Sequence, residues 1–83
     1  MKYKIAFKKS VSRDLKKIDK KQVDKILIKI DKELSNKADQ YPELKGLFSG
    51  LRKCRIGDYR IIYTIFNDTV LILRIKHRKD VYK

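Results

Sequence analysis

The clearest pattern along the chain lies between residues 20 and 35, where Val23, Ile26, Leu27, Ile30 and Leu34 recur at i, i+3, i+4, i+7 and i+11. That spacing puts one apolar stripe on an α-helix. Lys25, Lys29 and Lys32 lie away from the stripe; Ile28 stands off it too, either as a partner contact or, as scattered surface hydrophobes more commonly are, as an ordinary exposed residue. Val11, Leu15 and Ile18 predict a shorter helix over about residues 11–18, with Ser10 as its N-cap. Asp19-Lys20 is the break, and Asp19 is placed to cap the longer helix. The two helices read as an αα-hairpin joined by a short link. Before them, Tyr3, Ile5 and Phe7 alternate and predict a first strand within residues 2–7. Residues 36–50 read as a connector: Asn36 ends the helix, Pro42, Gly46 and Gly50 punctuate the path, and Leu44, Leu47 and Phe48 tuck it against the core.

After Gly50 the period changes to that of strands. Gly57-Asp58 separates two β-prone runs, and a two-residue loop of this kind suits a type I′ or II′ hairpin turn. Asn67-Asp68 marks a second turn, and Thr69 to Ile75 is the last strand. Ile61–Phe66 and Val70–Leu73 are apolar on both faces, as central strands are. Residues 76–83 have no apolar period and read as an irregular or single-turn extension. The expected fold class is α+β: an N-terminal strand, a two-helix hairpin, then three antiparallel strands forming one sheet with the helices on one face. The other face then needs cover from a partner or a folded-back segment. Nothing divides residues 1–83 into more than one domain.

The first hairpin also gathers charge. If Ile56 opposes Tyr59, then Arg55 opposes Arg60 and Lys53 opposes Ile62, so Lys53, Arg55 and Arg60 share one face. Two arginines side by side repel each other, a poor arrangement for stability and a good one for holding a phosphate bidentately. Composition strengthens this. The formal net charge is +13, from 23 basic and 10 acidic residues, which favours polyanions such as RNA, DNA or an acidic protein. A hydrophobic fraction of 42% argues against disorder.

The same inventory excludes much chemistry. One cysteine, Cys54, and one histidine, His77, give neither an internal disulfide nor a metal set. Cys54 should face the core as a small hydrophobe. There is no Gly-rich phosphate loop, no HExxH motif and no serine with a histidine in a recognisable setting. No metal, cofactor or small-molecule partner is expected. No apolar run approaches the roughly 18 residues a membrane span needs, and no signal peptide is visible, so a cytoplasmic protein is expected. What remains is cations, tyrosines and His77. Such groups suffice for RNA cleavage, in which a ribose 2′-hydroxyl attacks its own phosphate and fixed cations stabilise the charge that develops.

Arg55-Ile-Gly-Asp-Tyr-Arg-Ile-Ile-Tyr63, then Leu73-Arg-Ile-Lys-His-Arg-Lys-Asp-Val-Tyr82, with Leu44-Lys-Gly-Leu47 before them, resembles the RelE branch of the RelE/ParE toxin superfamily over nearly the whole chain. The resemblance implies a RelE-like microbial ribonuclease fold. It also implies a toxin of a type II toxin–antitoxin pair that cleaves mRNA in the ribosomal A site without a metal and is silenced by an acidic, RelB-like antitoxin. Its partners would then be that antitoxin, the ribosome and mRNA. Carried over residue by residue, Arg60 holds the scissile phosphate and Lys53 contributes to nucleophile activation and transition-state charge. Arg78 acts as general acid or leaving-group stabiliser, and Tyr82 as general base and stacking partner. Arg52, Arg55, His77 and Lys79 supply further RNA contacts. Tyr82, His77 and Lys53 all remain open as the group that removes the 2′-proton. Leu51 departs from the pattern, since some members carry a second lysine there. The alternatives are a ParE-like inhibitor of DNA gyrase without nuclease activity, and an RNA-binding module whose cleavage activity has decayed.

Overall fold

The computed structural model describes residues 3–44, 46 and 50–81, with residues 80 and 81 described in backbone only. Strand β1 (Lys4–Phe7) leads into helix α1 (Lys9–Lys16) and helix α2 (Lys20–Lys37), which closes with a single 3₁₀ turn at Ala38–Gln40. Strands β2 (Arg52–Ile56), β3 (Tyr59–Phe66) and β4 (Thr69–His77) follow, then one helical turn, α3 (Arg78–Val81). The four strands form one sheet in the order β1-β4-β3-β2. The pairs β2–β3 and β3–β4 are antiparallel, as expected, and β1 joins β4 in parallel, which makes the sheet mixed. Among the described residues, no helix is long and apolar enough to cross a membrane.

Helix α2 supplies Ile26, Ile30 and Leu34 to a fully buried core with Cys54, Ile61, Tyr63, Val70, Ile72 and Ile75 from one face of the sheet. The Tyr63 hydroxyl, buried with the rest of its ring, donates to the Ala38 carbonyl at 2.7 Å and so satisfies a backbone group where α2 ends. The opposite sheet face carries Lys53, Arg55, Arg60, Ile62, Thr64, Leu71 and Lys76, none of them fully buried. Phe66 beside them is 72% exposed.

Several local expectations change. Helix α1 begins at Lys9 rather than residue 11, so Ser10 lies inside its first turn and caps nothing. Its hydroxyl instead donates to the Leu73 carbonyl at 2.7 Å. Asp19 precedes α2 without a side-chain cap bond; its backbone carbonyl accepts from Gln22 and Val23. Helix α2 runs one residue past Asn36, and β4 runs two past Ile75. Leu44 is half-buried, while Leu47 and Phe48 lie outside the described residues.

Sequence reasoning missed the contact that joins α1 to β4. Strand β1 covers the edge of β4 only as far as Ile72, where Lys8 donates its N–H to the Ile72 carbonyl at 2.9 Å. Beyond that point the edge would carry unpaired backbone groups, a costly state for a half-buried strand. Helix α1 takes over. Ser10 bonds the Leu73 carbonyl, Asp14 Oδ2 accepts the Ile75 N–H at 2.9 Å, and both Asp14 oxygens accept from the Arg74 guanidinium at 2.9 Å. The same segment bulges. Between Ile62 and Tyr63 the β3–β4 register slips by one, leaving Leu73 as the extra residue.

Burial opposes charge on Asp14, but the Arg74 pair, the Ile75 N–H and the nearby cations outweigh it and hold its carboxyl below the usual range. A depressed folded-state pKa contributes stability that is complete above the unfolded value near 3.9 and is lost as pH falls through the folded value. Asp14→Ala is expected to lower unfolding free energy by about 2 kcal/mol at pH 7, because it strands the buried Ile75 N–H and unpairs Arg74. The difference from wild type should shrink below about pH 4, as the wild-type Asp14 carboxylate takes up a proton and gives up the stability that the variant already lacks. Urea titrations across pH check both expectations. Tyr63→Phe, which leaves the Ala38 carbonyl without its donor, is expected to cost about 1 kcal/mol in the same assay.

Candidate functional site

The β2–β3 hairpin has the expected register: Ile56 opposes Tyr59, Arg55 opposes Arg60, Cys54 opposes Ile61 and Lys53 opposes Ile62. Gly57 takes φ +59° at the first turn position, a left-handed value that glycine adopts without strain. Asp58 is not among the positive-φ residues, which selects the type II′ turn. Strand β4 then adds a third cation abreast of the two arginines, because Arg60 opposes Lys76. Adjacent strands lie about 4.8 Å apart. Arg55, Arg60 and Lys76 therefore leave three neighbouring strands abreast on one face, a row of cations suited to an anion placed over them.

The tail closes this arrangement. Strand β4 ends at His77, and the Arg78 N–H that opens α3 donates to the Asp58 carbonyl at 2.8 Å. That bond ties the tail to the hairpin turn. Arg55, Tyr59, Arg60, Arg78 and Lys79 together line a concavity of about 500 Å³. Its size falls within the range of small-ligand clefts. Arg60 is half-buried there, whereas Arg55, Arg78 and Lys79 are exposed.

The other residues singled out from the sequence are placed differently. Lys53 lies on the same face, half-buried, one strand repeat along β2 from Arg55. His77 opposes Tyr59 on the helix side of the sheet and packs edge-on against its ring, with centroids 5.1 Å apart at 90°. Its Nδ1 accepts the Lys79 N–H at 3.2 Å, so the imidazole starts α3. Arg52 is not brought into the cluster. It points to the helix side, donates to the Tyr41 carbonyl at 2.6 Å and pairs with Glu43 at 3.4 Å, fastening the connector to β2. Tyr82 lies outside the described residues. Cys54 is buried, and burial pushes its thiol pKa up despite the Tyr41 hydroxyl beside it, which disfavours the thiolate a nucleophile requires. Among the described residues, no three His, Cys, Asp or Glu side chains come together.

Lys76 was not singled out from the sequence. The Asn67-Asp68 turn sets Phe66 opposite Thr69, and an unbroken ladder from there pairs Arg60 with Ile75. The Leu73 bulge adds one residue, buries Ile75 and turns Lys76 onto the cationic face.

A family model described as the ParE toxin of the type II toxin–antitoxin system parDE matches residues 5–82. The chain is 46% identical to toxin RelG of Mycobacterium tuberculosis over 43 residues, which take in 49% of this chain and 45% of that one. The chain thus spans less than half the length of that relative. Among solved structures, the RelBE2 toxin–antitoxin complex of M. tuberculosis superposes with a TM-score of 0.82 at 28% identity, covering 94% of this chain and 100% of the other. The RelB–RelE complex of Methanococcus jannaschii gives 0.71 at 27% identity, covering 93% and 94%. A helix pair over a four-stranded mixed sheet, with a match running from β1 to the tail, leads to one conclusion: this chain belongs to the ParE toxin family of type II toxin–antitoxin systems, within the RelE/ParE superfamily.

Proposed function

We propose that this toxin is a ribosome-dependent mRNA endoribonuclease that cuts by metal-independent transesterification. The observation that carries this reading is the meeting of Arg60, from mid-sheet, and Arg78, from the tail, in one cleft with Arg55 and Lys79. In the proposed step the ribose 2′-hydroxyl loses its proton and its oxygen bonds to phosphorus. The bond from phosphorus to the 5′-oxygen then breaks, leaving a 2′,3′-cyclic phosphate, and the departing 5′-oxygen takes up a proton from solvent water. Arg60, flanked by Arg55 and Lys76, holds the non-bridging oxygens and offsets the charge that builds on them. Arg78 stabilises the leaving oxygen as a cation, since a guanidinium does not give up its proton in proteins. Lys53 and Tyr82 keep the roles that the family resemblance assigns, nucleophile activation and proton removal with base stacking.

The RelBE2 and RelB–RelE structures are toxin–antitoxin complexes. By that likeness the partner of this chain is an acidic antitoxin. The open sheet face, where Ile62, Leu71 and Phe66 adjoin the cations, suits such a chain. A second reading has support in the matched family's own description as ParE: inhibition of DNA gyrase by binding, without cleavage.

Arg60→Ala and Arg78→Ala are each expected to slow cleavage of ribosome-bound mRNA by about a hundredfold or more, with unfolding midpoints unchanged. Primer extension on programmed ribosomes reads the rate. Normal cutting by both variants overturns the site assignment. Inhibition of purified gyrase supercoiling by the wild-type chain, with uncut message, selects the second reading.

A further inference from the structure

A second concavity, of about 420 Å³, lies between α2 and the β2–β3 turn. That volume is within the range of small-ligand clefts. Part of its wall is apolar, because Ile26 is fully buried and Ile56 half-buried. Another part is aromatic: Tyr59, with His77 packed edge-on against it. Tyr59 also lines the cationic cleft, so the two concavities share that side chain. Gln22 and Asp58 add polar groups. Both are exposed, and among the described residues neither side chain makes a hydrogen bond or ion pair. A carboxamide donates and accepts, whereas a carboxylate only accepts. An aromatic face beside free edge-reading groups is what an unpaired base needs, and a phosphate needs neither. Lys25 and Lys29, which also line the groove, attract any nucleic-acid strand and choose nothing; selection falls to Asp58 and Gln22.

We propose that this groove takes one unpaired base of the RNA substrate, from a nucleotide beside the scissile phosphate, and that Asp58 selects amino-bearing bases over uracil. The Asp58 carboxylate accepts from the exocyclic amino group of cytosine, or from the two adjacent N–H groups on the pairing edge of guanine. Uracil offers one N–H between two carbonyls, and those carbonyls meet the carboxylate unfavourably. The Gln22 carboxamide meets either a donor or an acceptor and so adds affinity without choosing. The shared Tyr59 wall lets one strand place its phosphate in the cleft and the neighbouring base in the groove. The choice of RNA rests on the cleavage reading above; the binding test below needs neither a ribosome nor a cut, so either can fail alone.

The test is titration of the full chain, at constant pH, with guanosine, cytidine and uridine 5′-monophosphates and with ribose 5-phosphate, followed by NMR. His77 is the single histidine, so its ring signals are unambiguous, and it stands against Tyr59 in the groove. Guanosine and cytidine monophosphates are expected to shift those signals at concentrations about tenfold or more below uridine monophosphate. Their base protons should show Overhauser contacts to the Ile56 methyl groups. In Asp58→Asn, whose amide meets a carbonyl as well as an amino group, the preference should fall to about threefold or less. Asparagine suits the turn as aspartate does, so the hairpin is kept. Gln22→Ala, on the exposed side of α2, should weaken all three nucleotides by about threefold and keep their order. An equal wild-type response to uridine monophosphate or to ribose 5-phosphate overturns the proposal. So does a preference that survives Asp58→Asn, or base contacts to Ile18, which lines a different concavity bordered by His77.

Discussion

A single carboxylate on α1 fixes how β4 leaves the sheet. Asp14 accepts the Ile75 N–H and both arms of the Arg74 guanidinium. With Ser10 on the Leu73 carbonyl, it gives the backbone groups of the bulged segment their partners where β1 no longer reaches. Everything downstream inherits that geometry. The bulge decides that Ile75 enters the core and that Lys76 stands beside Arg60. It therefore also decides where His77 ends the strand and where Arg78 begins the tail.

The cationic cleft follows from two constraints of different kind. The sheet supplies fixed spacing, since residues abreast on neighbouring strands cannot drift apart. The tail supplies a second direction of approach, because the Arg78 N–H is pinned to the Asp58 carbonyl of the hairpin turn. A phosphodiester held from the sheet by Arg60 and from the tail by Arg78 meets positive charge on two sides. That disposition suits a reaction in which charge shifts from non-bridging oxygens toward a leaving oxygen.

Much of this was legible in the sequence. The α2 stripe named its own buried residues, and the Gly57-Asp58 turn fixed the pairing of Arg55 with Arg60 because a two-residue hairpin loop leaves no freedom of register. Lys76 was hidden for a physical reason. The run Val70–Ile75 is apolar throughout, apart from Arg74, so alternation carries no information about a one-residue bulge. Asp14 belongs to no motif, yet at helical spacing it falls beside Val11, Leu15 and Ile18 on the apolar side of the first helix, and that placement was the available signal. Arg52 shows the converse. Its charge suggested RNA, and strand alternation alone puts it on the face opposite Lys53, where it serves the connector.

The central claim is that Arg60 and Arg78 act on one phosphate. A double-mutant cycle on the single-turnover cleavage rate tests it most directly, since groups that act as a unit show strongly non-additive losses. The account predicts that the doubly substituted toxin cuts within about tenfold of the slower single variant. Losses that multiply in full would mean that the two arginines serve independent events, and would contradict it.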